Sequence, residues 1–368
     1  MRWCSCISRK ESLSDSLEEA CDFVLDMLGQ KPDIIFVFAS GYTRAGYERL
    51  PSVLKTKLEG FVFGCTGHGV IGGGQEIEHS PAVSITAGLI SNVTLKGSYV
   101  TADDLTAAPT CGVGSDVNFI AGTARSTNPI IVLAHPFSFP TERFLLELDQ
   151  LSSKQIVTGG LAGGGSIADD VMLFLEDDWY RSGAVLLSMG GNLQVVTSVA
   201  QGCRPIGEPM FITSDSTNSI SALDGKNPLI VLDQLYKSLS STEQALMRSS
   251  LFLGLGMRGG ESVYEKGDYL IRNIIGSDRD TGHIVVGGDV RDNGVAQFHV
   301  RDARTSRDDL VVGLKRLRNE LGDTTELGGL VFSCAGRGAG LYGRTNHDLD
   351  IFKDLCGALP LGGFFCNG

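Results

Sequence analysis

The sequence lacks clustered positive charge, long apolar runs and a secretory leader. Its 31 lysines and arginines form no run among 43 aspartates and glutamates, and the net charge over 368 residues is −12. Binding to a phosphate backbone requires clustered cations, so we expect no nucleic-acid partner. No apolar stretch reaches the roughly 18 residues of a membrane span, so we expect no membrane partner. These absences favour a cytoplasmic protein, although the basic start (Arg2, Arg9, Lys10) leaves a plastid or another organelle open.

Paired cysteine and histidine motifs are also missing. The nine cysteines include no Cys-x-x-Cys pair, and the six histidines show neither His-x-His nor His-Glu-x-x-His spacing. A disulfide framework and a zinc centre are therefore not predicted, and reduced thiols are the simplest reading. We expect no metal or cofactor. His135 and His299 would be the first candidates if a haem or a metal were bound.

Glycine, in contrast, is abundant, with 48 residues, many of them directly after apolar runs. Glycine at such places permits positive φ and close approach of two backbones. A pattern of strand, loop, helix, strand and glycine-rich turn occurs three times, with about 30 residues per unit, as in βαβ units. The units begin at the apolar runs 34–40, 130–134 and 329–334.

These patterns predict an α/β fold made of two related mixed α/β domains, with helices covering the sheets. The chain is too long for one typical core, so two domains are expected. We place them at 1–200 and 201–368. A strongly amphipathic pattern predicts a helix over 305–321 in the second domain.

Two distant segments read almost alike: FVFGCTGHG at 61–69 and LVFSCAGRG at 330–338 share five of nine residues. Each is an apolar run, then a cysteine, then glycines around a side chain that can carry positive charge. The repeat predicts pseudo-repeated halves, with Cys65 and Cys334 at equivalent positions. Glycine-rich loops at strand ends bind small polar ligands through backbone N–H groups.

The candidate ligand-binding residues come from these loops and from other glycine-rich turns. They are Cys65, Thr66, Gly67, His68, Gly69, Gly159, Gly160, Arg204, Ser333, Cys334, Gly336 and Arg337. Arg204 and Arg337 each stand beside a cysteine and glycines, where a guanidinium could hold a carboxylate. The alternative is that each arginine caps carbonyls or forms an internal salt bridge.

Cys65 could instead be a nucleophile, with His68 as its base, in a cysteine-dependent hydrolase. The matching loop carries Arg337, which cannot act as a base. A buried structural cysteine is the simpler reading, since cysteine is among the most buried residue types. We therefore assign no catalytic residue and expect a protein that is not an enzyme.

Taken together, several segments resemble the FIST family, with a FIST-N part followed by a FIST-C part. They are FVFGCTGHGVIGGGQEIEHSPAVSI (61–85), HPFSFP (135–140), VTGGLAGG (157–164), GCRPIGEP (202–209), LDGKNPL (223–229), YLIRNIIG (269–276), VAQFHVRD (295–302), LVFSCAGRG (330–338) and LPLGGFFCNG (359–368). Family members usually continue past the last segment with Glu-Ile-Gly-Pro, so the resemblance implies that the chain is incomplete after Gly368.

The resemblance implies a sensory module that binds a small ligand, such as an amino acid or another small anion, and signals to a partner. Some members resemble haem-binding sensors, so haem is a possible cofactor by resemblance alone. Others carry an F-box and act with ubiquitin ligases. The partner would accordingly be a signalling protein or a ubiquitin-ligase component, and an interaction module of that kind is the remaining alternative.

Overall fold

The computed structural model describes residues 1–106, 127–151, 155–164, 170–214, 216–257, 264, 267–290, 294–322, 324 and 326–367. The chain forms two compact units, one made of Met1–Thr197 with Leu317–Gly368, the other of Ser198–Arg316. The predicted boundary near residue 200 lies close to the first crossing between them. The predicted domain 201–368, however, is not one compact unit, because its last segment returns to the first unit and supplies strands to its sheets.

Helices alternate with single strands near both ends of the described chain, and runs of consecutive strands form much of the rest. The helices are α1 (Leu13–Leu28), α2 (Arg44–Leu58), α3 (Ala102–Thr106), α4 (Thr141–Leu151), α5 (Pro228–Ser238), α6 (Ser241–Ser249), α7 (Ala303–Leu321), α8 (Ala339–Tyr342) and α9 (His347–Cys356). The first strands are β1 (Arg2–Ser8), β2 (Ile34–Ser40), β3 (Phe61–Thr66), β4 (Gly69–Gly72), β5 (Gln75–Glu78), β6 (Ala82–Leu89), β7 (Val93–Val100), β8 (Ile130–Ala134), β9 (Val157–Leu161) and β10 (Leu173–Leu175). The later strands are β11 (Asp178–Tyr180), β12 (Ala184–Gly191), β13 (Cys203–Ser214), β14 (Ser219–Leu223), β15 (Leu251–Gly256), β16 (Tyr269–Ser277), β17 (Ile284–Val286), β18 (Val295–Arg301), β19 (Gly329–Cys334) and β20 (Leu361–Cys366).

The described residues of the first unit form three sheets, of strand order β1-β6-β2-β3-β10-β11, β7-β12-β8-β9 and β19-β20-β4-β5. Strand β2 (IIFVFAS) is buried along its whole length, as its continuous apolar sequence predicts for a strand covered on both faces. Helices α1 and α2 pack on one face of the first sheet through leucines, among them Leu17, Leu50 and Leu54. The α/β class and the layering of helices on sheets are confirmed.

The three predicted βαβ units are present in this first unit. Strands β2–β3, β8–β9 and β19–β20 are parallel pairs, each joined through a helix. In each pair a glycine of the second strand lies so close to the first strand that a Cβ would meet a valine carbonyl oxygen at 1.8–1.9 Å. These pairs are Gly64 with Val37, Gly159 with Val132 and Gly363 with Val331. Glycine is therefore required at the same place in all three units.

The nine-residue repeat does not mark equivalent positions, so the prediction for Cys65 and Cys334 was wrong. Cys65 lies in β3, the second strand of its unit, whereas Cys334 ends β19, the first strand of its unit. An apolar run followed by cysteine and glycine fits the end of either kind of strand, which explains the false match. The structural repeat is the βαβ unit with its strand glycine.

The second unit is a closed barrel of strand order β13-β14-β17-β16-β15-β18. All strand pairs that define it are antiparallel. Its interior is filled by alternate apolar residues such as Leu253, Phe298 and Val300. The amphipathic pattern at 305–321 correctly predicted α7, which runs over Ala303–Leu321.

Candidate functional site

The carboxyl ends of the three parallel strand pairs meet and are joined by a closed ring of backbone hydrogen bonds. In each βαβ unit, the N–H group four residues after the strand glycine donates to the carbonyl two residues after the strand glycine of another unit. The bonds are Gly163 N–H to Thr66 O at 3.0 Å, His68 N–H to Phe365 O at 3.0 Å and Asn367 N–H to Leu161 O at 2.9 Å. We call these six residues the three-unit ring. Ligands of α/β proteins bind outside the carboxyl ends of parallel strands, so the ring stands at the expected edge.

Both glycine-rich loops named from the sequence reach this edge. The end of β3 supplies Thr66 to the ring, and the loop after β3 supplies His68. The loop after β19 is attached by Ala335, whose N–H donates to Cys366 O at 2.9 Å. The structure therefore brings the 66–69 and 334–338 loops together through β20, although their strands are not equivalent.

Glycines let the backbones of the ring touch one another. A Cβ on Gly163 would lie 2.6 Å from the His68 ring, and a Cβ on Gly164 would lie 2.8 Å from Gly67 O. A Cβ on Gly67 would lie 2.9 Å from the Phe364 side chain. Thr66 is fully buried, and its hydroxyl accepts the Met172 N–H at 3.0 Å. The exposed side chains of the ring are those of His68 and Asn367.

The remaining predicted glycines have structural roles at the same edge. Gly69 begins β4, and a Cβ there would lie 2.5 Å from Ile77 O in the paired strand β5. Gly159 is the strand glycine of the second unit. A Cβ on Gly160 would lie 3.1 Å from the Cys366 side chain.

Cys65 faces the hydrophobic core rather than the ring edge. Its side chain is fully buried among residues that include Phe38 and Phe364. Burial, with a smaller contribution from Cys366, raises the pKa of the Cys65 thiol well above its usual range. A thiol held protonated and away from solvent neither contacts a ligand nor acts as a nucleophile, so the geometry opposes the hydrolase alternative.

Cys65 is accordingly expected to resist alkylation in the native protein. We expect iodoacetamide to modify the partly exposed Cys356 before Cys65, because only accessible thiolate reacts. Peptide mapping by mass spectrometry after graded exposure, with a urea-unfolded sample as the control, measures both rates. Modification of Cys65 at the rate of the unfolded sample would restore the hydrolase alternative.

Arg204 belongs to the second unit, where two internal carboxylates occupy its guanidinium. Nε lies 3.2 Å from Asp302 Oδ2, and Nη1 lies 3.3 Å from Glu243 Oε1. Each carboxylate also caps a helix, since Asp302 accepts the Thr305 N–H and Glu243 forms a capping box with Ser240. Arg204 therefore takes the internal salt-bridge role that the sequence left open as an alternative.

Arg337 is buried, with 7% of its side chain exposed, and is likewise held by an internal carboxylate. Nε and one terminal nitrogen donate to the two oxygens of Asp348 at 2.8 and 3.3 Å, and that nitrogen also donates to the Tyr342 hydroxyl at 2.6 Å. Burial opposes ionisation of Asp348, but the bonds and charge of Arg337 hold the pKa of its carboxyl below the usual range. The side of the guanidinium formed by Nε and Nη2 is thus occupied from within the protein, whereas Nη1 is buried and has no hydrogen-bond partner among the described residues.

The other predicted residues of the second loop surround this arginine. Ser333 is buried at the end of β19, Cys334 is partly exposed, and Gly336 is exposed. The Gly336 N–H lies 3.5 Å from Cys334 Sγ, and the Arg337 N–H donates to Cys334 O at 2.9 Å. These contacts form a tight turn that directs the Arg337 side chain away from solvent.

His135 and His299, the first candidates for a haem or metal ligand, are both buried and hydrogen-bonded within the protein. His135 is 2% exposed, and its Nδ1 lies 2.9 Å from the Ser138 hydroxyl. His299 is 3% exposed and lies edge-on to Tyr269, and its Nδ1 bonds to the Gln297 carbonyl. Within the described parts of the chain, no group of three or more histidine, cysteine, aspartate or glutamate side chains could hold a metal ion.

Comparison with known proteins places this architecture in a family. The model of the FIST N domain matches residues 33–226, and that of the FIST C domain matches residues 229–368. The chain therefore belongs to the FIST family, whose domains are in general small-ligand-binding sensory domains of signalling proteins. The resemblance drawn from the sequence motifs is confirmed.

Relatives along almost the whole chain occur in mycobacteria. An uncharacterized protein of Mycobacterium tuberculosis strain H37Rv is 31% identical over 344 residues, which cover 93% of this chain and 87% of the relative. An uncharacterized protein of Mycobacterium bovis is 30% identical over 349 residues, which cover 93% of this chain and 86% of the relative. Among the described residues, no helix is both long enough and apolar enough to span a membrane.

Proposed function

We propose that the protein is a sensory module that binds a small anionic or zwitterionic ligand, such as an amino acid, at the three-unit ring. The ligand lies between the 66–69 loop and the 334–338 loop. The observation that carries this proposal is the convergence of three parallel strand pairs on one hydrogen-bonded edge. Such an edge gives a rigid backbone frame with little side-chain motion to restrict on binding.

The chemistry of the frame favours side-chain contacts to the ligand over backbone contacts. The N–H groups of His68, Gly163 and Asn367 are already used within the ring. The exposed side chains of His68 and Asn367 remain on its rim and offer N–H donors to a carboxylate. We assign neither Arg204 nor Arg337 to the ligand, because internal carboxylates hold Arg204 and the Nε–Nη2 side of the buried Arg337.

The second part of the proposal is that ligand binding is passed to a partner, a signalling protein or a ubiquitin-ligase component. The sensory character of the family supports this part. Neither a catalytic step nor a cofactor enters the proposal, and we place the protein in the cytoplasm.

Binding is tested with a panel of the standard amino acids, acetate, succinate and inorganic phosphate. We expect at least one panel member to raise the melting temperature of the full chain with increasing concentration, as a ligand of the native state must. The double variant His68→Ala/Asn367→Ala should bind that compound at least about a hundredfold more weakly by calorimetry, because each of the two lost hydrogen bonds to a charged ligand contributes about 1.5–3 kcal/mol.

Asn92→Gly is the matched control. Asn92 is an exposed residue with φ of 60° in the β6–β7 turn, where glycine is tolerated. Because β6 is antiparallel to β2, this turn lies at the opposite edge of the sheet. Wild-type affinity in Asn92→Gly is expected. Equal affinity in the double variant, or no response to any panel member, would contradict the proposal.

A further inference from the structure

A buried junction of carboxylates joins the β4–β5 hairpin to helices α8 and α9. Glu76 and Glu78 stand two residues apart on β5 and therefore point to the same face. Glu76 is 4% exposed, and its Oε1 accepts the Leu349 N–H of α9 at 3.0 Å. Glu78 Oε1 accepts the Ala339 N–H of α8 at 2.8 Å. One strand thus caps two successive helices.

The contact at α9 is a capping box assembled from distant segments. Asn346, the N-cap residue of α9, makes no side-chain bond to its own helix. Its Oδ1 instead accepts the Glu76 N–H at 2.7 Å, while Glu76 supplies the acceptor for the helix N–H. In an ordinary capping box the two residues exchange these bonds within one helix. Here the exchange fixes the β4–β5 hairpin to α9. The protonation state of the Glu76 carboxyl therefore affects how firmly the hairpin and the helix are held together.

The charges around Glu76 oppose its ionised form. Glu78 on its own strand and Asp348 in the first turn of α9 are both acidic, and strand β4 (GVIG) contributes no titratable group. The nearby cation Arg337 is paired with Asp348 and donates to the Tyr342 hydroxyl. Asp348 also lies 2.9 Å from Nδ1 of His347, which donates to it when Nδ1 carries the proton. Glu76 Oε2 is buried and has no hydrogen-bond partner. Burying an unpartnered oxygen costs more when it carries part of a negative charge than when it belongs to a neutral carboxyl, and a protonated Glu76 keeps the Leu349 contact without the repulsion.

We propose that this junction is a pH-sensitive latch, closed when Glu76 is protonated and loosened when Glu76 ionises. The latch lies beside the three-unit ring, because α8 follows directly after the 334–338 loop. Loosening it frees the segment between β19 and α9 and so alters one side of the ring. The inference goes beyond ligand binding and is tested on the ligand-free protein.

The direction of the pH dependence follows from linkage. Burial, together with repulsion from Asp348 and Glu78 and against the bond from Leu349, raises the pKa of Glu76 from 4.5 to about 7. Between these values the folded junction holds a proton that the released junction has lost. Its stability therefore falls as the pH rises through this window, and the full loss is present above about pH 7.

Hydrogen exchange of the ligand-free full chain tests the latch. Protection factors, corrected for the intrinsic pH dependence of exchange, are measured at about pH 5.5 and about pH 8.5, on either side of the titration of Glu76. We expect protection of peptides covering 337–349 to fall about tenfold or more at the higher pH. The reason is that the pKa of Glu76 differs by more than about one unit between the closed and the released junction, and each unit is a tenfold change in their equilibrium. Protection in β2 (Ile34–Ser40) should be unchanged.

Glu76→Gln keeps an oxygen acceptor for Leu349 and removes the charge, so protection of the same peptides should no longer depend on pH. Glu18→Gln removes an exposed carboxyl of α1 and should behave like the wild type. Equal protection at both pH values in the wild type would overturn the latch, and so would an unchanged pH dependence in Glu76→Gln. If Glu76→Gln fails to fold, the wild-type comparison alone decides.

Discussion

Replacing Arg337 by alanine is expected to lower the free energy of unfolding of the first unit by about 3–5 kcal/mol, the usual cost of removing one partner of a buried ion pair. Asp348, only 14% exposed, would lose two hydrogen bonds and its opposite charge. The Tyr342 hydroxyl would lose its donor as well. The change should therefore act on folding and not first on ligand binding.

Urea unfolding followed by tryptophan fluorescence measures this effect selectively. The two tryptophans, Trp3 and Trp179, both belong to the first unit. The matched control is Arg344→Ala. Arg344 pairs with Asp350, which lies on the same helix α9 as Asp348, but the Arg344 side chain is about half exposed. Its removal should change stability by no more than about 0.5 kcal/mol. Similar effects of the two substitutions would show that Arg337 is not the buried ion-pair partner of Asp348.

Gly64→Ala is expected to cost about 4 kcal/mol or more, or to abolish the cooperative fluorescence transition, since effects of this size arise from overpacking in a core. A Cβ at residue 64 would lie 1.8 Å from Val37 O, so β2 and β3 would have to separate. These two strands form the parallel pair at the centre of the first sheet.

Gly340→Ala is the matched control for this substitution. A Cβ on Gly340 meets no other heavy atom within 4 Å, and the residue lies in helix α8, where alanine is preferred to glycine. The same urea experiment should give a stability equal to or slightly above that of the wild type. A Gly64→Ala protein as stable as Gly340→Ala would contradict the close pairing of β2 and β3.

The local pattern of the three βαβ units could be predicted from sequence, because apolar runs, an intervening helix and glycines each have a local signature. The return of β20 to the first unit could not. It pairs with β4, almost 300 residues earlier, and that choice depends on which sheet faces must be buried. The same limit explains why the predicted domain 201–368 was divided.

The candidate site was predicted in outline and revised in its side chains. The two glycine-rich loops do meet at one edge, but the alternation of β3 turns Cys65 into the core and leaves His68 at the rim. Arg337 was predicted to contact a ligand because the glycines around it in sequence offer its side chain little to pack against. Its support is Asp348, eleven residues further on, which no periodicity could reveal. The ring bonds join residues of distant segments, such as His68 and Phe365, so no local sequence pattern indicates them.

The location of the ligand is the central point, and hydrogen exchange with and without a bound compound tests it most directly. The probe is the panel member that raises the melting temperature most, added at saturation to the full chain. We expect new protection in peptides covering 64–69, 159–164 and 364–367, the parts of the chain that form the three-unit ring, and in peptides covering the 334–338 loop. None of this protection should appear in His68→Ala/Asn367→Ala. Protection confined to 198–316, with these four segments unchanged, would contradict ligand binding at the ring.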